Sequence, residues 1–514
     1  MFFENVSALV ANNARVRPFR AAVVQNDTVV TYQELERLVG QSAALFRELG
    51  LALGDRVAVC MPDTAEQLVT IFALLRLGAV VVPMDVRWTA AEVSKVAQQF
   101  HVAAIVTGGV SHLQPERSVR VVRMDPSLCA RRDAATPLTD WPTTPESPAM
   151  LSLSSGTTGG GPSGPLLTHD LYCQRLICDV LSQGFHMDDV NLCATPLYFG
   201  AGRNITLSNL LVGATVVLHP PPYEVEALVA AVARHNVTSM FLVPTLLRRL
   251  LALPDEGRLL FPTLRVLISS GAALHAEEFE EVRRRLTPNL MNVYATTEAG
   301  TLSVLLTEDS GQHHGSVGRP AFFTEVEIVD QEGRRLPTGE IGEIRYRGPA
   351  TPEAVVSSDS RTVVALKDGW FHPGDLGYFD KQGLLYVVGR TKDIIIRGGV
   401  NIFANEIEAV LTNCDDVLDA SVVAASSAEF GEQVAAFVVA RPAVTPEFLV
   451  DRCRASLASY KIPDHWFFVD ELPKSAIGKV NKNALREMLP PELRLPDPAG
   501  RTGGAPKNAQ SSNR

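Results

Sequence analysis

Short β-rich runs alternate with longer amphipathic stretches, and this alternation restricts the fold more than any other feature of the sequence. Residues 56–61 (RVAVCM) predict a strand, and residues 65–77 predict an amphipathic helix that Gly78 stops. Residues 79–83 (AVVVP) then read as a buried strand, and 103–107 and 120–123 as further short strands. Parallel neighbours need a helical crossover, so strands separated by helices imply a mostly parallel sheet in an α/β fold. Segment 125–148 is rich in Pro, Thr and Asp and reads as a surface connection. The alternation resumes with strand candidates at 191–195, 215–218, 240–243 and 265–269.

The texture changes beyond about residue 325. EVEIVD, EIRYRG and LLYVVGR are short alternating strands near the turn signals Glu332-Gly333 and Gln382-Gly383. After Gly389 come a helix candidate at 406–411, strands at 421–425 and 435–439, a helix at 447–458 and a strand at 466–469. That block suits a separate small α+β domain. The expected division is therefore 1–389, 390–495 and a tail, 496–514, whose Gly, Pro, Ser, Asn and Gln content predicts disorder.

At 514 residues the chain exceeds one ordinary hydrophobic core. Apolar residues at 46% and charged residues at 20% fit a globular protein. A formal charge of −10 gives no general basic footprint for nucleic acid. No apolar run is long enough to span a membrane. The opening residues read as the first helix of the fold and not as a signal peptide, because a basic region followed by a long apolar run is lacking. The seven cysteines are scattered without a CxxC, which suggests reduced thiols in a cytoplasmic protein. The eleven histidines have no zinc-ligand spacing.

Four segments carry chemical signals. In LSLSSGTTGGGPSGPLLTH (151–169), an apolar run enters Ser154, Ser155, Gly156, Thr157, Thr158 and Gly159. Such a loop can turn N–H groups and hydroxyls around an anion; it can equally be a flexible linker. It is not the GxxxxGK[ST] phosphate loop. NVYATTE (292–298) places an amide at Asn292, an aromatic ring at Tyr294, a hydroxyl at Thr297 and a carboxylate at Glu298, types that suit a base, a phosphate and Mg²⁺. In the third segment Asp375, flanked by Gly374 and Gly377, could bond a diol, and Arg390 and Lys392 follow a strand. A charged turn is the alternative. The fourth is LPKSAIGKVNK (472–482), where Lys479 follows a glycine; a lone loop lysine is otherwise solvated surface.

Together these segments closely resemble the adenylate-forming superfamily of acyl-CoA synthetases, carrier-protein-loading adenylation domains and luciferases. The resemblance covers roughly residues 10–490 and includes TYQEL (31–35), RLGAVVVPMD (76–85) and GEIGEIRYRG (339–348) in the family's order. It implies a large N-terminal domain of mixed, mostly parallel sheets with flanking helices, and a small mobile C-terminal α+β domain. By the same resemblance the Ser154–Gly161 loop wraps ATP phosphates, and Asn292 and Tyr294 hold adenine. Thr297 contacts the α-phosphate and Glu298 ligates Mg²⁺. Asp375 and Arg390 bind the ribose hydroxyls, and Lys392 is the hinge. Lys479 is the catalytic lysine that bridges the carboxylate and the α-phosphate.

The implied reaction is attack of a carboxylate on the α-phosphorus of ATP with loss of pyrophosphate, then transfer of the acyl group to the thiol of CoA. The nucleophile already carries its charge, so the site supplies donors and cations and no general base. A separate carrier protein, a non-thiol acceptor, or a non-enzymatic role on the same fold are the alternatives.

This sequence departs from the family at several positions. The loop carries one extra glycine and Ser163 where the family has lysine, so the cation expected near pyrophosphate is missing. Ala295 replaces a glycine, and Phe199 replaces the histidine of the PLFH segment. Gly200 stands where amino-acid-activating relatives place an aspartate, which argues against an α-amino acid substrate. Phe199, Leu207 and the 210–212 run favour a hydrophobic acyl or aryl acid, although those leucines could equally pack the core. Residues 269–273 (SSGAA), with Gly271 and Ala272 among them, resemble the family's small-residue wall beside the acyl pocket.

Overall fold

A computed structural model describes residues 4–109, 119–153, 163–221, 224–272, 274, 276–310, 313, 315–357, 361–414, 416–474 and 480–495. The expected tail at 496–514 lies outside them.

Local signals set the first elements. Thr31 and Glu34 form a reciprocal capping box on the helix Tyr32–Glu48, and Leu35, Val39, Ala43 and Phe46 bury one face of it. Thr64 accepts the Gln67 N–H and starts the helix Ala65–Leu77, which is apolar and buried along nearly its whole length. The strand Arg56–Cys60 beside it is buried on both faces. Val57 and Val59 join the cluster that holds these helices, while Ala58 and Cys60 join a second cluster with the helix Ala90–Gln99. Burial on both faces is the mark of a parallel strand covered by helices.

These strands build two large sheets. One runs Thr362–Val364, Ala354–Val356, Gly164–Thr168, Pro148–Leu151, Val80–Pro83, Arg56–Cys60, Ala104–Thr107, Arg120–Arg123. The other runs Arg319–Pro320, Gly300–Leu305, Leu290–Thr296, Val266–Ser270, Ser239–Leu242, Val190–Cys193, Thr215–Leu218, Ala21–Gln25, Thr28–Thr31. Its middle is parallel and both edges are antiparallel. The helices Tyr32–Glu48, Ala65–Leu77, His169–Gln183 and Gly200–Val212 share one core with strands of both sheets.

Segment 125–148 departs from expectation. It contains the helix Pro126–Ala134, whose cap is Asp125 accepting the Leu128 N–H at 2.9 Å. Aspartate followed by proline at the first helical position is a start signal; the loop-like composition of the rest of the segment obscured it.

Contacts divide the chain into two compact units, Met1–Val326 with Arg345–His372, and Glu327–Ile344 with Pro373–Arg514. The sequence reading assigned 327–344 and 373–389 to the N-terminal domain. They group with the C-terminal unit because Glu325–Val329, Gly342–Arg347, Asp375–Phe379 and Leu385–Arg390 form one four-stranded sheet. Within the same unit, the long strands Val417–Ser427 and Gly431–Ala440 pair antiparallel. Val422, Val434, Ala436 and Val438 face the helices Ala404–Thr412 and Pro446–Ser456, while Val423, Ala435 and Phe437 face Leu472, Leu485 and Leu489. All seven cysteines are free thiols. Among the described residues no helix is long and apolar enough to cross a membrane.

Candidate active site

The glycine-rich run connects two antiparallel strands of the first large sheet. Leu151 pairs with Leu166, and the Ser152 N–H donates to the Pro165 carbonyl at 3.2 Å. The strands close so tightly that a Cβ at Gly164 would lie 2.0 Å from the Ser152 carbonyl oxygen, so only glycine fits there. Ser154, Ser155, Gly156, Thr157, Thr158 and Gly159 lie outside the described residues.

The acyl segment, residues 196–199, is fixed from several sides. Asp63, at 7% exposure, accepts the Leu197 N–H at 2.7 Å. Burial pushes the Asp63 carboxyl up to about 6, against the pull of that bond; the charge of Asp85 adds to the rise and that of Arg87 opposes it. Asp85 takes a bidentate ion pair from Arg87, at 2.9 and 2.6 Å, and its charge lies near the Tyr198 hydroxyl. Tyr198 in turn packs its ring on Phe199 at 4.6 Å between centroids. Behind the segment the buried Arg203 donates to the carbonyls of Leu197 and Tyr198 at 3.1 and 3.2 Å. A Cβ on Gly202 would lie 2.4 Å from the Thr195 carbonyl oxygen, so the helix Gly200–Val212 starts hard against this segment. Phe199 and Gly200 are half-buried at its first turn.

The second signal falls on the strand Leu290–Thr296. Asn292 and Tyr294 are two residues apart and share a face. Asn292 is buried and donates to the Ser316 carbonyl at 3.0 Å. The register slips between Tyr294 and Ala295, a bulge of the kind that re-aims side chains next to binding sites. Ala295 is exposed. The following turn is held from behind. Thr296 shares a hydrogen bond with the buried Tyr346 hydroxyl at 3.0 Å. Arg175 donates to the carbonyls of Thr297 at 3.1 Å, of Glu298, and of Ala350 at 3.2 Å. Burial lowers the affinity of that guanidinium for its proton, while the nearby Asp179 supports its charge. Burial also pushes Asp179 up to about 6, opposed by the Thr301 hydroxyl at 2.7 Å and by Arg175. With the backbone occupied in this way, the side chains of Thr297 and Glu298 remain half-buried. Gly271, in a left-handed conformation at φ 98°, and Ala272 are exposed just after the strand Val266–Ser270.

In the second unit Asp375 is buried and pairs with Arg390 across an antiparallel ladder, Nε to Oδ1 at 2.9 Å. Lys392 follows at the surface in a short 3₁₀ turn. Lys479 lies outside the described residues.

Arg175, Arg203 and Asp63 were not singled out from the sequence. Arg203 is the one charged residue of an otherwise uncharged helix, whereas Arg175 shares its helix with Asp170 and Asp179 and Asp63 lies in a polar turn before Glu66, so neither of these two stood out.

Among the described residues no group of three or more His, Cys, Asp or Glu could hold a metal. A lone carboxylate at Glu298 instead suits Mg²⁺, which is commonly held by one or two carboxylates together with substrate phosphates.

Residues 10–353 match the AMP-binding enzyme family and residues 406–479 its C-terminal domain. The chain is 30% identical over 482 residues to the 2-succinylbenzoate–CoA ligase of Bacillus licheniformis, covering 92% of this chain and 98% of that protein. It is 31% identical to a feruloyl-CoA synthase of Amycolatopsis, covering 92% and 96%. Among solved structures it superposes on the o-succinylbenzoate CoA synthetase of Bacillus subtilis bound to its acyl-adenylate intermediate. The TM-score is 0.84 at 27% identity, covering 93% of this chain and 97% of that one. The same enzyme has been solved with ATP and a magnesium ion.

Proposed function

Because the chain belongs to the AMP-binding enzyme family, whose fold carries ATP-dependent acyl-adenylate formation, we propose that it activates a hydrophobic acyl or aryl acid and passes it to the thiol of CoA. The observation that carries this preference is the acyl segment. Its exit presents the Phe199 ring and the bare Gly200. The two carboxylates behind it are engaged, Asp63 with the Leu197 N–H and Asp85 with Arg87. Among the described residues no other carboxylate lies on that segment to meet an α-ammonium group, whereas an apolar ring suits an aryl or alkyl acid. The long alignments to ligases of 2-succinylbenzoate and ferulate support the aryl reading.

In this reading Asn292 and Tyr294 hold the adenine, and Asp375, oriented by Arg390, accepts from the ribose hydroxyls. Thr297 donates to the α-phosphate from a turn that Arg175 keeps rigid. Glu298 holds Mg²⁺, which supplies positive charge to the phosphate oxygens when bound. The loop from Ser154 to Gly159 donates N–H groups to the β- and γ-phosphates. Phe199, Gly200, Gly271 and Ala272 shape the acyl pocket. Lys479 draws the carboxylate and α-phosphate together while charge develops. Lys392 is the hinge at which the backbone changes between half-reactions, and segment 390–495 carries the catalytic lysine.

The acceptor is tested by supplying pre-made aroyl-adenylate with CoA, with phosphopantetheinylated carrier proteins, or with simple amines. Thioester with CoA alone supports the reading. Product only with a carrier protein or an amine replaces CoA as the acceptor.

A further inference from the structure

Arg203, on the helix Gly200–Val212, is 1% exposed, and among the described residues its hydrogen-bond partners are all neutral oxygens. Nε donates to the Tyr172 hydroxyl at 3.3 Å, and Nη1 to the carbonyls of Leu197 and Tyr198 at 3.1 and 3.2 Å. Nη2 donates to Ser152 Oγ at 2.8 Å. Burying a guanidinium without a carboxylate partner is expensive, and an apolar side chain of similar length would fill the volume without that cost. What the guanidinium supplies in return is a donor to each of these four oxygens, which an apolar side chain would leave unsatisfied.

The partners suggest what the charge does. Leu197 and Tyr198 lead directly to Phe199, and Ser152 lies two residues before the glycine-rich run. Gly200 is close to the same point, since a Cβ there would sit 4.0 Å from Ser152 Oγ. One planar fork thus joins the acyl segment to the root of the loop. A lysine, with a single nitrogen, cannot span these partners in the same way.

We propose that Arg203 is a positioning residue for adenylation: it sets the acyl segment relative to the root of the phosphate loop, and so the approach of the acid's carboxylate to the α-phosphate. This inference rests on the adenylation reading above.

The test measures acid-dependent ATP–pyrophosphate exchange, per folded molecule, with benzoate, cinnamate and octanoate. The variants are Arg203→Met, Arg203→Lys, Ser152→Ala and the Ser152→Ala/Arg203→Lys double. Misplacement of reacting groups acts on the chemical step. Arg203→Met is therefore expected to lose roughly 10- to 100-fold in kcat, with KM for ATP and acid within about threefold of wild type. Arg203→Lys should recover part of the loss, and Ser152→Ala should lose about two- to fivefold in kcat. Because Ser152 acts through Arg203, the double variant should be no slower than Arg203→Lys alone. Additive losses in the double variant, changes in KM alone, or an unchanged kcat in the folded single variants would overturn the proposal. Should Arg203→Met not fold, Arg203→Lys and Ser152→Ala decide the matter. An active wild type with insensitive variants sinks this inference only; a wild type that exchanges no pyrophosphate with any of the acids sinks the adenylation reading and this inference with it.

Discussion

Asp63 holds the Leu197 N–H from a buried position, and its carboxyl titrates near 6 in the folded protein against an ordinary 3.8. The folded state therefore holds this proton more tightly than the unfolded chain does. The resulting stabilisation is fully present below pH 3.8 and is lost as pH rises through 6. Asp63→Asn removes the titration and keeps an oxygen for the Leu197 N–H. The variant should gain stability relative to wild type as pH rises from 4.5 to 7.5, by on the order of 2 kcal/mol. Thermal unfolding of both proteins across that range checks it, and a difference that does not vary with pH contradicts the burial argument. The strand that carries Asn292 and Tyr294 was legible in the sequence, and it is present as Leu290–Thr296 with Glu298 in the turn that follows. Arg175 and Arg203 were not. A single arginine in an amphipathic stretch reads as solvent-facing, and only packing between the two large sheets turns these two inward.

Elements followed the sequence where period and caps agreed. The helix Ala65–Leu77 coincides with its expected bounds, with Thr64 capping its start. The helix Pro126–Ala134 was hidden because composition was weighed above the Asp125–Pro126 start signal. Strand lengths were underestimated in Val417–Ser427 and Gly431–Ala440, where ladder pairing extends the strands past their apolar centres. At this scale the sharpest constraint is the start of the helix Gly200–Val212. Alanine at Gly202 would place a methyl 2.4 Å from the Thr195 carbonyl oxygen and 2.6 Å from that of Pro196. Both are backbone atoms that cannot swing aside, so Gly202→Ala should destabilise the protein by about 1–3 kcal/mol and lower adenylation by shifting the segment that carries Phe199. Denaturant unfolding and pyrophosphate exchange measure the two effects. A variant with wild-type stability and rate would show that the helix start has room to relax.

For the whole molecule, alternation of strand and helix pointed to parallel α/β architecture with a smaller C-terminal unit, and both are present. The boundary between units was not legible, because the strands from 325 to 390 come from separate stretches of chain and form their own sheet. The two proposed half-reactions predict a separable role for Lys479. Lys479→Ala should cut acyl-adenylate formation by about 10²–10³, while thioester formation from pre-made acyl-adenylate and CoA stays near wild type. Equal loss in both half-reactions would contradict that assignment. Every later step depends on the first half-reaction. Its most direct measurement is incubation of the full chain with ATP, Mg²⁺ and an aryl acid, without CoA, followed by mass spectrometry of the quenched mixture. Adenylation of the acid yields acyl-AMP and pyrophosphate, each dependent on the acid. Formation of ADP and phosphate in place of acyl-AMP, or no nucleotide product with any acid, would contradict it.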